Sequence, residues 1–109
     1  MLTEQPILIT SLKSGDTIVK NRFIDFNGQL CSEGLKPLGI SNADTNLNNM
    51  LPVVVQGIAL VTTLDAIGKG SAVQSADDGY AMPHSGGIIA GYSLDASTGA
   101  GQLIRILLS

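Results

Sequence analysis

His84 and Cys31 are the single histidine and the single cysteine of the chain, so nucleophilic or acid–base chemistry would have to be built on them or on carboxylates. His84 lies in Pro83-His-Ser-Gly-Gly87, a loop sequence without Ser-His-Asp spacing. General-base work needs a partner that orients the imidazole, and none is apparent. One thiol and one imidazole do not make a zinc set, and a lone Cys in an apolar stretch forms no intrachain disulfide and packs as a small hydrophobe. Asp16, Asp25, Asp44, Asp65, Asp77, Asp78 and Asp95 mostly fall in turn sequences, where side-chain bonds to the local backbone account for them. Asp77-Asp78-Gly79 lacks the alternating ligands of a calcium loop. Leu94-Asp-Ala-Ser-Thr-Gly99 echoes the hydrophobic-Asp-Thr-Gly of aspartic proteases, but Ala96 and Ser97 intervene between Asp95 and Thr98. Gly68-Lys-Gly70 is too short for a phosphate loop. The expectation is no catalytic residue, no metal site and no cofactor.

The elements around these residues are strands. Val, Ile, Leu, Ala and Gly dominate, Trp is absent, and such a mix suits short strands with tight turns. The 109 residues suffice for one domain with a modest core. Leu51 to Thr63 is the most hydrophobic run, and its β-branched Val53-Val-Val55, Ile58, Val61, Thr62 and Thr63 favour a strand over a helix. Gly57 in its middle predicts a bulge or bend that lets one long strand serve two parts of a barrel. Asn27-Gly28 and Asp78-Gly79 are hairpin signals, read as turns with positive φ at both central residues. Ser41 to Asn49 is Asn-rich and predicts an exposed loop. In the last strand Ile104, Ile106 and Leu108 share one face and Leu103, Arg105 and Leu107 the other. That second face suits a surface covered by another subunit.

A strand–turn–strand–loop–strand pattern is written twice, over residues 15–56 and 70–108, with Val19 aligned to Val73, Gly28 to Gly79, Gly39 and Ser41 to Gly91 and Ser93, and Leu51 to Leu103. It predicts an all-β fold, a small barrel of two similar half-barrels related by a pseudo-two-fold axis, with edges closed against aggregation. Residues 1–14 stand outside both copies, the single barrel domain being 15–109. This segment is either a first strand completing the domain's own sheet, starting after Pro6 or lying at a sheet edge, or an extended N-terminal arm that adds a strand to a neighbouring protein through Ile7 to Ile9.

Charge and composition exclude several partners. The net charge is −3 and the six basic residues are scattered, so no electrostatic footprint for nucleic acid exists. The N-terminus lacks the pattern of a signal peptide and no apolar run reaches membrane-spanning length. A soluble protein made and folded in the cytoplasm, with no membrane partner, is expected.

From Gly57-Ile-Ala-Leu60 to the end, the sequence resembles the capsid-cement, or head decoration, proteins of tailed bacteriophages. The resemblance is carried by Ala66-Ile67 with Gly70-Ser-Ala-Val73, by Asp78-Gly-Tyr-Ala-Met-Pro83, by Ile89-Ala-Gly-Tyr-Ser-Leu-Asp-Ala96 and by the closing Gly101 to Leu108. It implies a non-enzymatic structural role on the capsid exterior, after synthesis in the host cytoplasm. Such proteins bind an expanded shell, commonly as homotrimers, and clamp adjacent major capsid protein subunits against internal pressure. Carried onto this chain, Leu2, Pro6, Ile7, Leu8 and Ile9 are the candidate capsid contacts, and Leu103, Arg105 and Leu107 the candidate contacts within the oligomer. The alternative is a small-ligand or carbohydrate-binding β-barrel, which would have to draw its stacking surfaces from Phe23, Phe26, Tyr80 and Tyr92.

Overall fold

The computed structural model describes residues 4–108. Its strands are β1 (Gln5–Lys13), β2 (Phe23–Ile24), β3 (Gly39–Ser41), β4 (Met50–Thr62), β5 (Ala72–Ser75), β6 (Ala81–Pro83), β7 (Gly91–Ser93) and β8 (Leu103–Leu108), with a 3-10 turn at Asp77–Gly79. The architecture is all-β, a nearly closed antiparallel barrel of 7 strands in the order β2-β3-β4-β8-β7-β5-β6, with β1 added to β4.

β4 organises this order. Val54 is paired with both Ile9 and Ile40, and Ile58 with both Gln5 and Leu107. A strand residue with two partners has one on each edge, so β1 lies along one edge of β4 while β3 and β8 share the other in turn. Gly57 sits where the partnership changes. Its φ is 101°, a conformation costly for any residue with a Cβ, and it lies opposite Pro6 beside a register shift of β1. The barrel then closes through backbone bonds: Thr63 bridges Ala81, the Leu64 N–H donates to the Ala81 carbonyl at 2.8 Å, and the Gly34 N–H donates to Ser75 at 2.9 Å.

The second half of the chain reproduces the hydrogen bonds of the first. The Ser41 hydroxyl donates to the Val19 carbonyl at 2.7 Å and accepts from the Arg22 N–H; the Ser93 hydroxyl donates to the Gly68 carbonyl at 2.5 Å and accepts from the Ser71 N–H. Bridge Ile18–Thr45 recurs as Ile67–Ser97. The Asp25 N–H donates to Gln29 across one hairpin as Ala76 does to Tyr80 across the other, which sets Gly28 against Gly79. The correspondence reaches back before Gly15. The Ser14 hydroxyl bonds the Asn46 carbonyl at 2.6 Å as Thr63 bonds Gly99 at 2.7 Å, and the Asn48 and Gly101 N–H groups, both at residues with positive φ, donate to the carbonyls of Ser14 and Thr63. β1 is thus the counterpart of the second half of β4, and the first half of β4 the counterpart of β8. One strand ends the first copy and begins the second.

This corrects the sequence-based alignment in four places. Gln5–Lys13 are not outside the pattern, because they form β1, which opens it and pairs with β4 in the chain's own sheet. Val53 faces Ser41 as Ile106 faces Ser93, so Leu51 matches Ile104, not Leu103; both are buried whereas Leu103 is exposed, as a one-residue slip in a strand requires. Val73 matches Ile24 rather than exposed Val19, since Ile24 and Val73 pair with Gly39 and Gly91. Finally, of Asn27 and Gly28 only Gly28 has positive φ, and the Gly28 N–H returns to the Asp25 carbonyl, so the hairpin is a turn followed by a left-handed glycine.

The interior divides the same way. Ile18, Ile24, Leu51 and Val53 form a small core in the first copy, with Leu12, Leu30, Leu38 and Val55 partly buried against it. The larger core holds the counterparts in the second copy, Ile67, Val73, Ile104 and Ile106, together with Phe23, Ile40 and Val54 from the first. Equivalent residues therefore do not have equivalent surroundings. The two halves are thus unequal in their packing.

Candidate functional site

Two adjoining surfaces of the sheet carry the sequence-derived contact residues. Leu2 and the side chain of Ile7 lie outside the described residues. Pro6, Leu8 and Ile9 are in β1, with Leu8 51 % and Ile9 44 % exposed. The Ser14 N–H and C=O bond Asn49 and Asn48 on the β4 side. Alternation along an antiparallel strand then points the Leu12 and Thr10 amides the same way and turns those of Ile9, Ser11 and Lys13 outward. Among the described strands none pairs with that outer edge. β1 thus offers apolar side chains beside a row of unpaired backbone groups, the combination that extended-strand recognition uses.

Leu103 and Leu107 lie on the outer face of β8, 42 % and 47 % exposed, while Ile104 and Ile106 point into the core. Arg105 between them is not a free cation. Its Nη2 and Nε donate to the two carboxylate oxygens of Asp95 at 2.9 and 3.0 Å, and its backbone N–H donates to Asp95 Oδ2 at 2.9 Å. The Arg105 side chain, followed by its backbone N–H, lowers the Asp95 pKa to about 2, against a small opposing effect of burial. Asp95 is a fixed carboxylate that neutralises the Arg105 charge on the β8 face, where Leu103 and Leu107 are the exposed apolar side chains.

Cross-strand pairing extends this face beyond the residues singled out from sequence. Ile58 pairs with Leu107, Leu107 with Tyr92 and Tyr92 with Ala72, so four side chains line one row across β4, β8, β7 and β5. Gln5 of β1 pairs with Ile58 at its end, which joins the two surfaces. Tyr92, 45 % exposed, joins this face, whereas sequence reasoning weighed it only as a stacking surface of a ligand-binding barrel. Its signal was available in Gly91-Tyr-Ser93, where two small residues flank one aromatic in an alternating strand.

The remaining chemical candidates are explained by their surroundings. Exposed His84 donates through Nε2 to the Gly87 carbonyl at 2.8 Å within its own loop, and the Gln74 amide oxygen holds that loop by accepting from the Ser85 and Gly87 N–H groups. Cys31 is fully buried and burial pushes its thiol pKa up, which makes it less reactive. Phe23 is fully buried. Tyr80 is covered by the Arg22 guanidinium, 3.8 Å from the ring centroid, and Arg22 also donates to the Asp78 carbonyl and the Tyr80 hydroxyl. Phe26 and Tyr92 are exposed, and no cavity opens among the described residues.

No family model matches the sequence, and no curated protein matches it significantly. Among solved structures the chain is similar to the crystal structure of the head fiber gp8.5 N base in bacteriophage phi29, with a TM-score of 0.79, 15 % sequence identity, and coverage of 94 % of this chain and 93 % of that one. At this identity the two share a fold, spanning nearly the whole of both chains.

Proposed function

We propose that the chain is a structural protein of a bacteriophage virion, seated on the outside of the capsid, where it stabilises contacts between major capsid subunits. The observation that carries this reading is the end-to-end fold similarity to a head-fiber base. It joins a sequence resemblance to head decoration proteins that was drawn from different features. The surfaces agree with the role. β1 presents Pro6, Leu8 and Ile9 next to an open backbone edge, and a repeated shell multiplies modest contacts of this kind into firm attachment. The chain acts as a homotrimer, with Leu103 and Leu107 on the Asp95-neutralised face of β8 as its internal contacts.

The test is co-sedimentation with expanded capsids prepared without the protein. Wild-type chain should pellet with the shells and raise their resistance to heat. Leu8→Lys with Ile9→Lys, both exposed and so neutral to folding, should bind at least tenfold more weakly. Equal binding by this double variant would show that β1 is not the capsid contact, and no binding by wild type would end the capsid reading.

A further inference from the structure

The two copies of the pattern carry the same row of residues, and three of its four positions are buried in the first copy only. In the first copy the row runs Ile9–Val54–Ile40–Phe23 across β1, β4, β3 and β2. In the second it runs Ile58–Leu107–Tyr92–Ala72 across β4, β8, β7 and β5. Phe23, Ile40 and Val54 are buried to 1 % exposure or less, and they belong to the core of the second copy, against Val61, Val73, Ala90, Ile104 and Ile106. They are the lid of that core. The matching Leu107 and Tyr92 are 47 % and 45 % exposed, open to solvent over nearly half of their surface.

The core of the first copy shows the complementary defect. Leu12 matches Val61, because each faces one of the matched pair Leu51 and Ile104. Leu38 matches Ala90, because their N–H groups bond the carbonyls of Ile24 and Val73. Val61 and Ala90 are buried under the lid, whereas Leu12 and Leu38 are only partly buried. One part of the molecule thus leaves an apolar row half open to solvent, and another leaves its small core only partly covered. The chain cannot satisfy both internally, since the lid it does possess is already used between its halves.

We infer that a second copy of this chain supplies the missing contact: the row Ile58, Leu107, Tyr92 and Ala72 of one copy closes the opening at Leu12, Leu30 and Leu38 of the next, repeating between molecules the packing seen between the halves. The interface is heterologous, so repetition gives a ring where the rotation closes. The chemistry is that of a core cut in two, apolar and neutral, and the Asp95 clamp on Arg105 keeps the lid face free of unpaired charge. This rests on the reading of the chain as an oligomer and specifies which surfaces meet. It needs no capsid.

The test uses full-length protein free of shells. Wild type should sediment as a closed oligomer, and Leu107→Lys as a folded monomer or with self-association weakened at least a hundredfold. Ile88→Lys, equally exposed but off the row, should leave the mass unchanged. A photo-reactive p-benzoylphenylalanine in place of Tyr92, in a mixture of isotopically light and heavy chains, should crosslink between molecules to peptides containing Leu12 or Leu38. Crosslinks from position 92 to the second half of the partner would overturn the inference in favour of a two-fold contact. So would a monomeric wild type, or equal loss from Leu107→Lys and Ile88→Lys. Capsid binding is read in the separate pelleting assay, so failure of either reading is distinguishable from failure of the other.

Discussion

The first and second halves of this barrel share their hydrogen bonds down to the hydroxyls of Ser41 and Ser93, yet they differ in what they bury. Position for position, Val54 is inside and Leu107 outside, Ile40 inside and Tyr92 outside, Phe23 inside and Ala72 half-buried. Backbone pattern therefore sets the shape of each half, and side-chain burial records which half is covered. The residue types follow the coverage only in part. Phe becomes Ala where the site is half-open, but Leu107 and Tyr92 remain as apolar as the buried residues they match, which is why that face stands out as a contact surface.

The sharpest way to break this comparison is to place the same charge at matched positions. Val54→Lys buries an unpaired ammonium and should cost several kcal/mol, enough to unfold the domain, whereas Leu107→Lys should leave the domain folded, with a thermal midpoint within a few degrees of wild type diluted to its monomer; circular dichroism melts compare the two. Next in size, Phe23→Ala should cost about 3–5 kcal/mol in urea denaturation, while Ala72→Ser in the other half should cost well under about 1 kcal/mol.

A third test probes where the halves are alike. A Cβ at Gly39 would collide with the Val54 carbonyl oxygen, and one at Gly91 with the Leu107 carbonyl oxygen. Gly39→Ala and Gly91→Ala should therefore each destabilise by about 1–3 kcal/mol, and a large inequality would mean that the halves are not equivalent in backbone. The smallest effect concerns the Asp95–Arg105 pair, which has no counterpart in the first half, where Ala43 and Pro52 take the matching places. The Asp95 pKa is depressed from 3.8 to about 2 in the folded chain, so its stabilisation is present above the unfolded value and is lost as pH falls through the folded one. The stability difference between wild type and Asp95→Asn should be steady at neutral pH and vanish between these two values, as followed by acid titration of the unfolding midpoint. A difference that persisted below the folded value would deny the ion pair its role.

How far this was legible beforehand depends on the residue. Gly57 within a β-branched run announced that β4 serves two partners in turn, and the alternation of Leu103 to Leu108 announced which side chains of β8 face out, because strand period is a local property. The duplication was visible through Gly28 and Gly79 and through Ser41 and Ser93. Its true start in β1 was not, since Ser14 and Thr63 do the same work with different side chains and β1 and β4 share no identities worth aligning. The pairing of Leu51 with Ile104 was hidden by a one-residue difference in loop length, to which the eye for identical leucines is blind. The lid of Phe23, Ile40 and Val54 could not be read at all. Whether an apolar strand residue is covered by its own sheet, by the other half or by nothing depends on tertiary placement, and an isolated row such as Ile58, Leu107 and Tyr92 looks the same in each case.

The sharing of β4 has a consequence for how the domain comes apart. Two halves joined by a linker can melt in sequence, with the weaker going first. Here the strand that completes one half is the strand that starts the other, and Phe23, Ile40 and Val54 from the first are inside the core of the second. Loss of β4 removes a hydrogen-bonded edge from both copies at once, so no half-folded state keeps a sealed interior. Unfolding should therefore be a single cooperative event, and the slowest-exchanging amides of both halves should share one opening free energy.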